Sequence, residues 1–212
     1  LDADFSKNSW RTIIAACQNK QVPDTWNVGD SCMMAFGKKN YQIDIIGKNH
    51  DDYADGSGKA PLTFQMHTCY ATEYKMNNSD SNTGGWADCL LRTTGGFKII
   101  KSKMPAEVVA ALKAVTKKTT AGGASSAIDT TEDTLFLLSE IEVQGTRTFS
   151  YAGEGTQYAY YQTAANRKKN RAWYLRSPRI SSTTCFCRTG WSGEADWSVA
   201  SEVDGITAAW CF

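Results

Sequence analysis

Apolar side chains recur at helical spacing near the start of the chain. The residues at i, i+3, i+4 and i+7 of this pattern are Trp10, Ile13, Ile14 and Cys17. Residues at these spacings share one face of a helix, and Ser6 or Ser9 would cap its first turn. We therefore predict an amphipathic helix over about residues 7–19 that packs its apolar stripe against the rest of the protein.

Short segments with strand composition follow this helix. Ser31 to Phe36 and Tyr41 to Ile46 are separated by a turn sequence that begins with Gly37, which predicts a hairpin. A third strand is predicted through Leu62 to Met66. We expect the final apolar stretch, Ile206 to Phe212, to pair near the opening strand and bring the termini together.

The middle of the chain contains segments with helical spacing of apolar residues, followed by one with strand-like alternation. Gly84-Gly85-Trp86 opens a short predicted helix. A longer one is predicted where Pro105 stands in the first turn, with Lys117 and Lys118 near its carboxyl end and Gly122-Gly123 after it. Its predicted apolar face comprises Val108, Val109, Leu112 and Val115.

After these helices comes a run of apolar residues, and then a segment in which apolar and polar residues alternate. Leu135 to Leu138 and then Ile141 to Val143 predict a central strand, or a strand followed by a bend. Short strands, two or three helices and extensive loops, with no repeat and no linker, indicate one α+β domain over residues 1–212.

Composition narrows the classes of partner. The chain has 23 Lys plus Arg against 22 Asp plus Glu, so no net field attracts nucleic acid. No apolar run reaches the roughly 18 residues of a membrane span, so we expect no membrane insertion. Seven cysteines without a CxxC spacing are expected to be buried, reduced thiols of a chain folded in the cytoplasm.

Few residues suggest catalysis or metal binding. His50, Asp51, Asp52 and Asp55 could offer ligands to a cation, but their spacing is not that of an EF-hand and such loops often bond to themselves. The only histidines are His50 and His67, and no Ser-His-Asp order or phosphate-cradling glycine loop can be assembled. We predict no metal, no cofactor and no catalytic residues.

The large side chains divide into two groups. Trp86, Trp173 and Trp210 stand among apolar neighbours and are expected in the core. Arg92 and Arg176 are expected to be buried partners of carboxylates or carbonyls. Trp191 and Trp197 lie in a Ser/Gly-rich stretch, where ligand contact is the favoured interpretation and core packing the alternative.

Several phrases in this sequence carry a resemblance to a known family. In chain order they are Trp26–Asp30, Ile45–Asp52, Gly84–Trp86 leading to Leu91-Arg92, Leu137–Ser139 with Glu142-Val143, Glu154-Gly155 with Tyr158 and Tyr160-Tyr161, and Trp173–Pro178. The chain resembles the C-type-lectin-like variable proteins of bacterial and phage diversity-generating retroelements. The resemblance implies a C-type-lectin-like fold of the formylglycine-generating-enzyme type.

The resemblance also implies a division of the last part of the chain. Phe186, Cys187, Gly193, Ala195, Ala200, Ser201, Gly205, Ala209, Cys211 and Phe212 match framework positions. Residues 179–204 would form the variable recognition region. The implied ligand-binding positions are Arg179, Ser181, Thr183, Cys185, Arg188, Gly190, Ser192, Glu194, Asp196, Trp197, Ser198, Val199, Glu202 and Asp204.

The function implied by the resemblance is recognition of a macromolecular ligand, either a bacterial surface protein or a glycan. Display on a phage tail (virion) or a bacterial cell surface is expected, in several copies or as a homo-oligomer. Two alternatives stay open: a structural module of a surface or virion assembly, and a formylglycine-generating-type enzyme that uses Cys185 and Cys187. The enzyme is disfavoured because the other phrases typical of that family are missing.

Overall fold

A computed structural model describes residues 1–212 of the chain. Its α-helices are α1 Trp10–Gln18, α2 Gly85–Asp88, α3 Leu90–Thr93, α4 Gly96–Lys103, α5 Ala106–Ala111 and α6 Glu140–Gln144. Its strands are β1 Ser31–Phe36, β2 Lys39–Lys48, β3 Leu62–Met66, β4 Val115–Gly122, β5 Ser125–Asp133, β6 Trp173–Pro178, β7 Cys185–Thr189, β8 Ala195–Val199 and β9 Ala209–Cys211. Short 3-10 helices cover Phe5–Lys7, Ala159–Gln162 and Ala164–Arg167.

The first sheet has the order β1-β2-β3-β9, and its pairs are antiparallel. The predicted hairpin and third strand are confirmed. The closing strand also forms, but β9 pairs with β3 and lies at the opposite edge of the sheet from β1. The two ends of the chain meet instead through α1, because the Trp10 ring lies 6.2 Å from the Phe212 ring.

The first predicted helix is confirmed as α1. Ser9 caps it, since its side chain accepts a hydrogen bond from the Thr12 amide at 3.2 Å. The predicted stripe is buried along its length. The Trp10 ring packs edge-on against Phe64 of β3 at 5.7 Å between ring centres, which joins the helix to the sheet.

The longer predicted helix is wrong beyond Ala111. α5 ends there, and residues 115–133 form the antiparallel hairpin β4–β5. Val115, Lys117 and Thr119 are buried while Lys118 is exposed, a two-residue period that fits a strand with one covered face. Gly122-Gly123 makes the hairpin turn with φ of 71° and 60°, so it ends a strand and not a helix. α4 was not predicted.

The strand predicted from the alternating apolar and polar residues at Ile141 to Val143 is also wrong. These residues belong to α6, which opens with a capping box in which Ser139 and Glu142 bond to each other's backbone amides. The Ser-x-x-Glu spacing is a known helix start, and this signal outweighs three alternating residues. Gly145 ends the helix in the left-handed region with φ of 74°.

One core unites these elements. A single cluster of 49 buried residues runs from Phe5 to Phe212, so the chain is a single α+β domain. Trp86, Trp173 and Trp210 are fully buried, as predicted. All seven cysteines are free and all but Cys32 are buried. No helix combines the length and apolarity that crossing a membrane requires.

We predict that Gly122→Ala destabilises the protein far more than Gly56→Ala. Both glycines have nearly the same left-handed φ, 71° and 73°, but a Cβ at Gly122 would overlap the Asn82 carbonyl, whereas nothing lies within 4 Å at Gly56. Backbone strain alone costs about 1 kcal/mol, and the clash should raise the loss at Gly122 to about 3 kcal/mol or more. Urea unfolding measures both losses, and equal losses would contradict this packing.

Candidate functional site

The third sheet, β6-β7-β8, carries the candidate recognition surface. Every residue of β6 is buried, and β7 is buried apart from Arg188. β8 is the more exposed of the two edge strands, and its residues are mostly exposed or half-buried. Solvent therefore reaches this sheet mainly along β8 and at the turns that flank β7.

The structure divides the nominated positions into three groups. The exposed ones are Ser181, Thr183, Ser192, Glu194, Trp197 and Glu202. The half-buried ones are Arg179, Arg188, Asp196 and Val199. Trp191 is 67% exposed and Trp197 is 37% exposed, so both lie at the surface, where ligand contact rather than core packing was favoured.

Four nominated positions do not reach the surface, which corrects that part of the expectation: they are Cys185, Gly190, Ser198 and Asp204. Cys185 faces inward from the middle strand β7. A Cβ at Gly190 would overlap the Glu194 side chain. Asp204 is only 6% exposed and accepts a hydrogen bond from Arg188. Cys185, Ser198 and Asp204 cannot vary freely, because larger side chains would have to enter a filled interior. At Gly190 the overlapping atoms are the end of the exposed Glu194 side chain, which can move away.

An ion-pair group crosses the β7–β8 hairpin. Arg188 lies directly opposite Asp196, and its Nε donates to that carboxylate at 2.7 Å. Its Nη1 donates to Asp204 at 2.8 Å. Burial raises the pKa of Asp204, and the hydrogen bond from Arg188 opposes that rise. Arg188 is thus committed to partners within the protein and fixes the hairpin and the segment after it.

A second arginine on this surface has no acidic partner. The guanidinium carbon of Arg179 lies 4.2 Å from the centre of a Trp197 ring and 5.9 Å from that of Phe149. Its buried Nε has no hydrogen-bond partner. The stack holds a large aromatic face and a planar cation together at the surface, an arrangement common at binding hot spots.

A buried network of four charges lies behind the sheet. Arg176 of β6 is fully buried, and its Nη2 donates to Glu142 at 2.9 Å. Lys117 of β4 donates to the same carboxylate at 3.3 Å and also to Asp51. Two cations and two carboxylates alternate, so the network is neutral, and buried charges of this kind persist only when they are paired.

The pKa values of these carboxylates follow from the pairing. Burial alone would raise the pKa of Asp51, but the Lys117 ammonium and hydrogen bonds from Lys117 and Thr63 lower it to about 2. Burial opposes ionisation of Glu142 as well, yet Arg176 and Lys117 hold its pKa below the ordinary value. Both groups are therefore carboxylates in the folded protein at neutral pH.

The acidic loop considered for a cation is held by lysines. Asp51 contacts Lys117, Asp52 contacts Lys59 at 2.9 Å, and Asp55 contacts Lys113 at 3.1 Å. The carboxylates therefore point to different cations and do not converge. The chain contains no group of three or more His, Cys, Asp or Glu arranged to hold a metal ion.

The two cysteines considered for catalysis lie inside the domain. Cys185 is 3% exposed and Cys187 is fully buried. Burial raises the pKa of the Cys187 thiol well above its ordinary value, so the nucleophilic thiolate is disfavoured. The predicted burial of the two arginines is confirmed for Arg176, while Arg92 is partly buried and bonds to Asp133 at 2.6 Å.

Sequence reasoning missed the buried charge network to which Arg176 belongs. Lys117 was assigned to a helix end and Asp51 to a surface loop, yet they meet across 66 residues of sequence. The Val-Thr-Lys-Lys-Thr-Thr run at 115–120 was the available signal, because β-branched residues at this density favour a strand. The capping box at Ser139 would likewise have placed Glu142 on a helix.

The fold and the surface together define an α+β domain that exposes the edge of a small antiparallel sheet over a buried charge network. Residues 60–211 match the family described as Domain of unknown function (DUF6273). The match covers 152 of 212 residues, and the chain belongs to this family. No curated protein and no solved structure matches the chain significantly.

We predict that the protein loses stability as the pH falls from about 4.5 to 2, in proportion to proton uptake by Asp51 and Glu142. Both folded pKa values are depressed, so their stabilisation is complete above the unfolded values of about 3.9 and 4.3 and is lost on acidification. The measurement is the free energy of unfolding in urea at a series of pH values.

The matched control for this experiment is Asp52→Asn, next to Asp51 but exposed. It should reproduce the wild-type pH profile. Asp51→Asn should cost about 3–5 kcal/mol at neutral pH, because it leaves Lys117 buried without its partner, and should flatten the acid limb. A wild-type steepness in Asp51→Asn would show that the acid sensitivity arises elsewhere.

Proposed function

We propose that this protein is a variable ligand-binding protein with a C-type-lectin-like fold, whose recognition surface lies within residues 179–204 and is diversified by a retroelement. The observation that carries the proposal is the difference in burial across the β6-β7-β8 sheet. β6 is fully buried and contributes Arg176 to the charge network, whereas β8 exposes side chains to solvent.

The burial of the implied framework residues supports this assignment. Phe186, Cys187, Ala200, Ala209, Cys211 and Phe212 are at most 1% exposed. Two other framework positions, Ala195 and Ser201, are half-buried, and the exposed nominated positions lie before, between and after the buried Phe186, Cys187 and Ala200. A scaffold of this kind tolerates change at the surface, because substitutions there usually alter stability by no more than about 0.5 kcal/mol.

The chemistry of the exposed face fits macromolecular recognition. Trp191, Trp197 and Arg179 offer large rigid surfaces with few rotatable bonds, and Ser181 and Ser192 add adaptable hydrogen bonding. Clefts of about 410 to 470 Å³ lie elsewhere on the protein and are not lined by residues 179–204. Since these clefts lie elsewhere, the exposed edge of the sheet suits a bacterial surface protein or glycan better than an enclosed metabolite.

Multivalent display on a phage tail or a bacterial surface would suit such a protein. Diversification samples contacts faster than it refines them, so single sites bind weakly. Linking copies raises the avidity by about 10² to 10⁴ without new contacts. A structural module of a surface or virion assembly is the second candidate, and the exposed Trp191 favours it equally.

An enzyme of the formylglycine-generating type is not part of the proposal. Such an enzyme needs Cys185 and Cys187 to reach a substrate, and both thiols lie inside the domain. The carboxylates of the half-buried Asp196 and the buried Asp204 are tied to Arg188. The Ser192 hydroxyl donates to the exposed Glu194 carboxylate at 2.5 Å, and the same oxygen accepts from the Ser192 amide at 2.9 Å. The hydrogen bonds from Ser192 lower the pKa of Glu194, which makes this carboxylate a weak base for activating a nucleophile.

We predict that Trp191→Ala with Trp197→Ala abolishes binding of the fluorescently labelled protein to bacterial cells and lowers the stability by less than about 1 kcal/mol. Flow cytometry over a panel of bacterial strains measures binding, and urea unfolding measures stability. The control is Met33→Ala, an exposed apolar residue on β1. A trimerised wild-type fusion should bind more tightly than the monomer.

Unchanged binding in the double variant, or equal apparent affinity of monomer and trimer, would contradict the proposed surface or the avidity. The encoding DNA offers an independent test of diversification. A reverse-transcriptase gene and a near-copy of the last hundred or so bases, differing at adenines, should lie nearby. A structural module would have neither, and would form a constant assembly in place of binding selected strains.

A further inference from the structure

A second surface feature lies away from the recognition surface. A cleft of about 420 Å³ opens between the end of α1, the end of β2 and the turn that precedes β3. Lys20, Lys48 and Lys59 line it, together with Asn49 and one acidic residue, Asp24. Lys48 and Asn49 belong to the Ile45–Asp52 phrase, whose role the recognition surface does not explain.

The lysines of this cleft are only partly neutralised. Lys20 and Lys48 have no carboxylate within 4.0 Å, and Lys59 contacts the exposed Asp52 at 2.9 Å. Lys48 Nζ donates to the Trp26 carbonyl at 2.8 Å, which leaves two of its three protons free. The lining carries three lysines and one aspartate, and with Asp52 paired to Lys59 one positive charge remains in excess, from Lys20 and Lys48 against Asp24.

The backbone of the cleft is held in an unusual conformation. Non-glycine residues with positive φ are Lys20, Asn49, Ala124 and Ser181. The first two, with φ of 55° and 51°, line this cleft. Asn is tolerated in the left-handed region, but a lysine there is strained.

Lys20 occupies the position at which glycine usually ends a helix. Its amide bonds to the Cys17 carbonyl at 3.1 Å, and the Gln21 amide bonds to the Ala16 carbonyl at 2.8 Å, which is the Schellman pattern. The side chain gains little within the protein, because its one hydrogen bond, to the Ser57 carbonyl, is 3.5 Å long. Strain of this kind is characteristic of functional sites.

We propose that this cleft binds an oxyanion, a phosphate or sulfate ester carried by a small ligand such as a sugar. Lysines recognise phosphate as point charges, and three of them face one volume here. The Asn49 side chain has no partner within the protein, so its amide is free to bond to an ester oxygen or a sugar hydroxyl. A volume of about 420 Å³ lies in the range of small-molecule sites.

The residues of the Ile45–Asp52 segment have two roles, one in the interior and one at the cleft. Asp51 points inward and pairs with Lys117, which anchors the segment to the buried network. Lys48 and Asn49 are exposed and line the cleft. The ligand-binding atoms are thus carried on a rigid support, the arrangement that a precise site requires.

The test uses isothermal titration calorimetry at low ionic strength, with inorganic phosphate, glucose 6-phosphate, glucose 6-sulfate and glucose as probes. We expect saturable 1:1 binding of at least one of the three anions and none of glucose. Tighter binding of the sugar esters than of phosphate supports the ester ligand, and tighter binding of free phosphate overturns it. Absence of binding by all three anions overturns the proposal.

Lys20→Gly is the decisive variant because it relieves backbone strain while removing a charge. It should melt at the same temperature as the wild type or higher, and should bind the anion about tenfold more weakly. Lys48→Gln should weaken binding similarly. Lys38→Gln, an exposed lysine in the β1–β2 turn, is the control and should bind normally. Equal weakening by Lys38→Gln, or none by Lys20→Gly, would assign the binding to general surface charge and overturn the site.

Discussion

Arg176 makes six hydrogen bonds in the interior of this domain, and much of the structure depends on them. Its partners are Thr119 and the Lys118 carbonyl of β4, the Leu137 and Glu154 carbonyls, and both carboxylate oxygens of Glu142. A guanidinium cannot lose its charge when buried. The fold must therefore supply a carboxylate at this point, and Glu142 does so from the first turn of α6.

The same constraint extends through the network to the first sheet. Glu142 also accepts from Lys117, and Lys117 donates to Asp51, which precedes β3. Each charge is compensated by the next, so the four groups are stable together and costly to separate. β6 is thereby fixed to β4, to α6 and to the loop after β2. β7 pairs with β6, and β8 pairs with β7, so the sheet extends from the buried β6 to the surface at β8.

Local signals in the sequence predicted α1, the first hairpin, β3 and the buried tryptophans, because each depends on neighbours within a few residues. The region from Leu112 to Asp133 could not be read in the same way. Its first residues continue the helical spacing of α5, but the Lys113 amide bonds to the Cys211 carbonyl at 3.1 Å, and pairing with distant segments overrides local preference. The β-branched run after Val115 is a local signal for a strand, but the helical spacing of the residues before it favours a helix.

The exposure of the candidate surface, like the fold, could be predicted only in part. A tail rich in Ser, Gly and Trp indicated exposure, and Trp191 and Trp197 are exposed. For Cys185 the sequence offered two opposed expectations, burial as a cysteine and exposure as a nominated binding position, and the structure shows it buried. The Asn82 side chain, more than a hundred residues away in the chain, donates to the Cys185 carbonyl at 2.7 Å. The burial of Ser198 and Asp204 depends on tertiary packing that local patterns do not show.

The central claim is that the interior fixes the fold while the exposed positions are free to vary. Two libraries displayed on yeast and sorted for protease resistance test it directly. One randomises the exposed Ser181, Thr183, Ser192, Glu194, Trp197 and Glu202, and the other randomises the buried Cys185, Ser198 and Asp204. More than about half of the first library should resist proteolysis and few members of the second should, because surface changes are mild and core changes are not. Equal losses in the two libraries would contradict the separation of scaffold from surface.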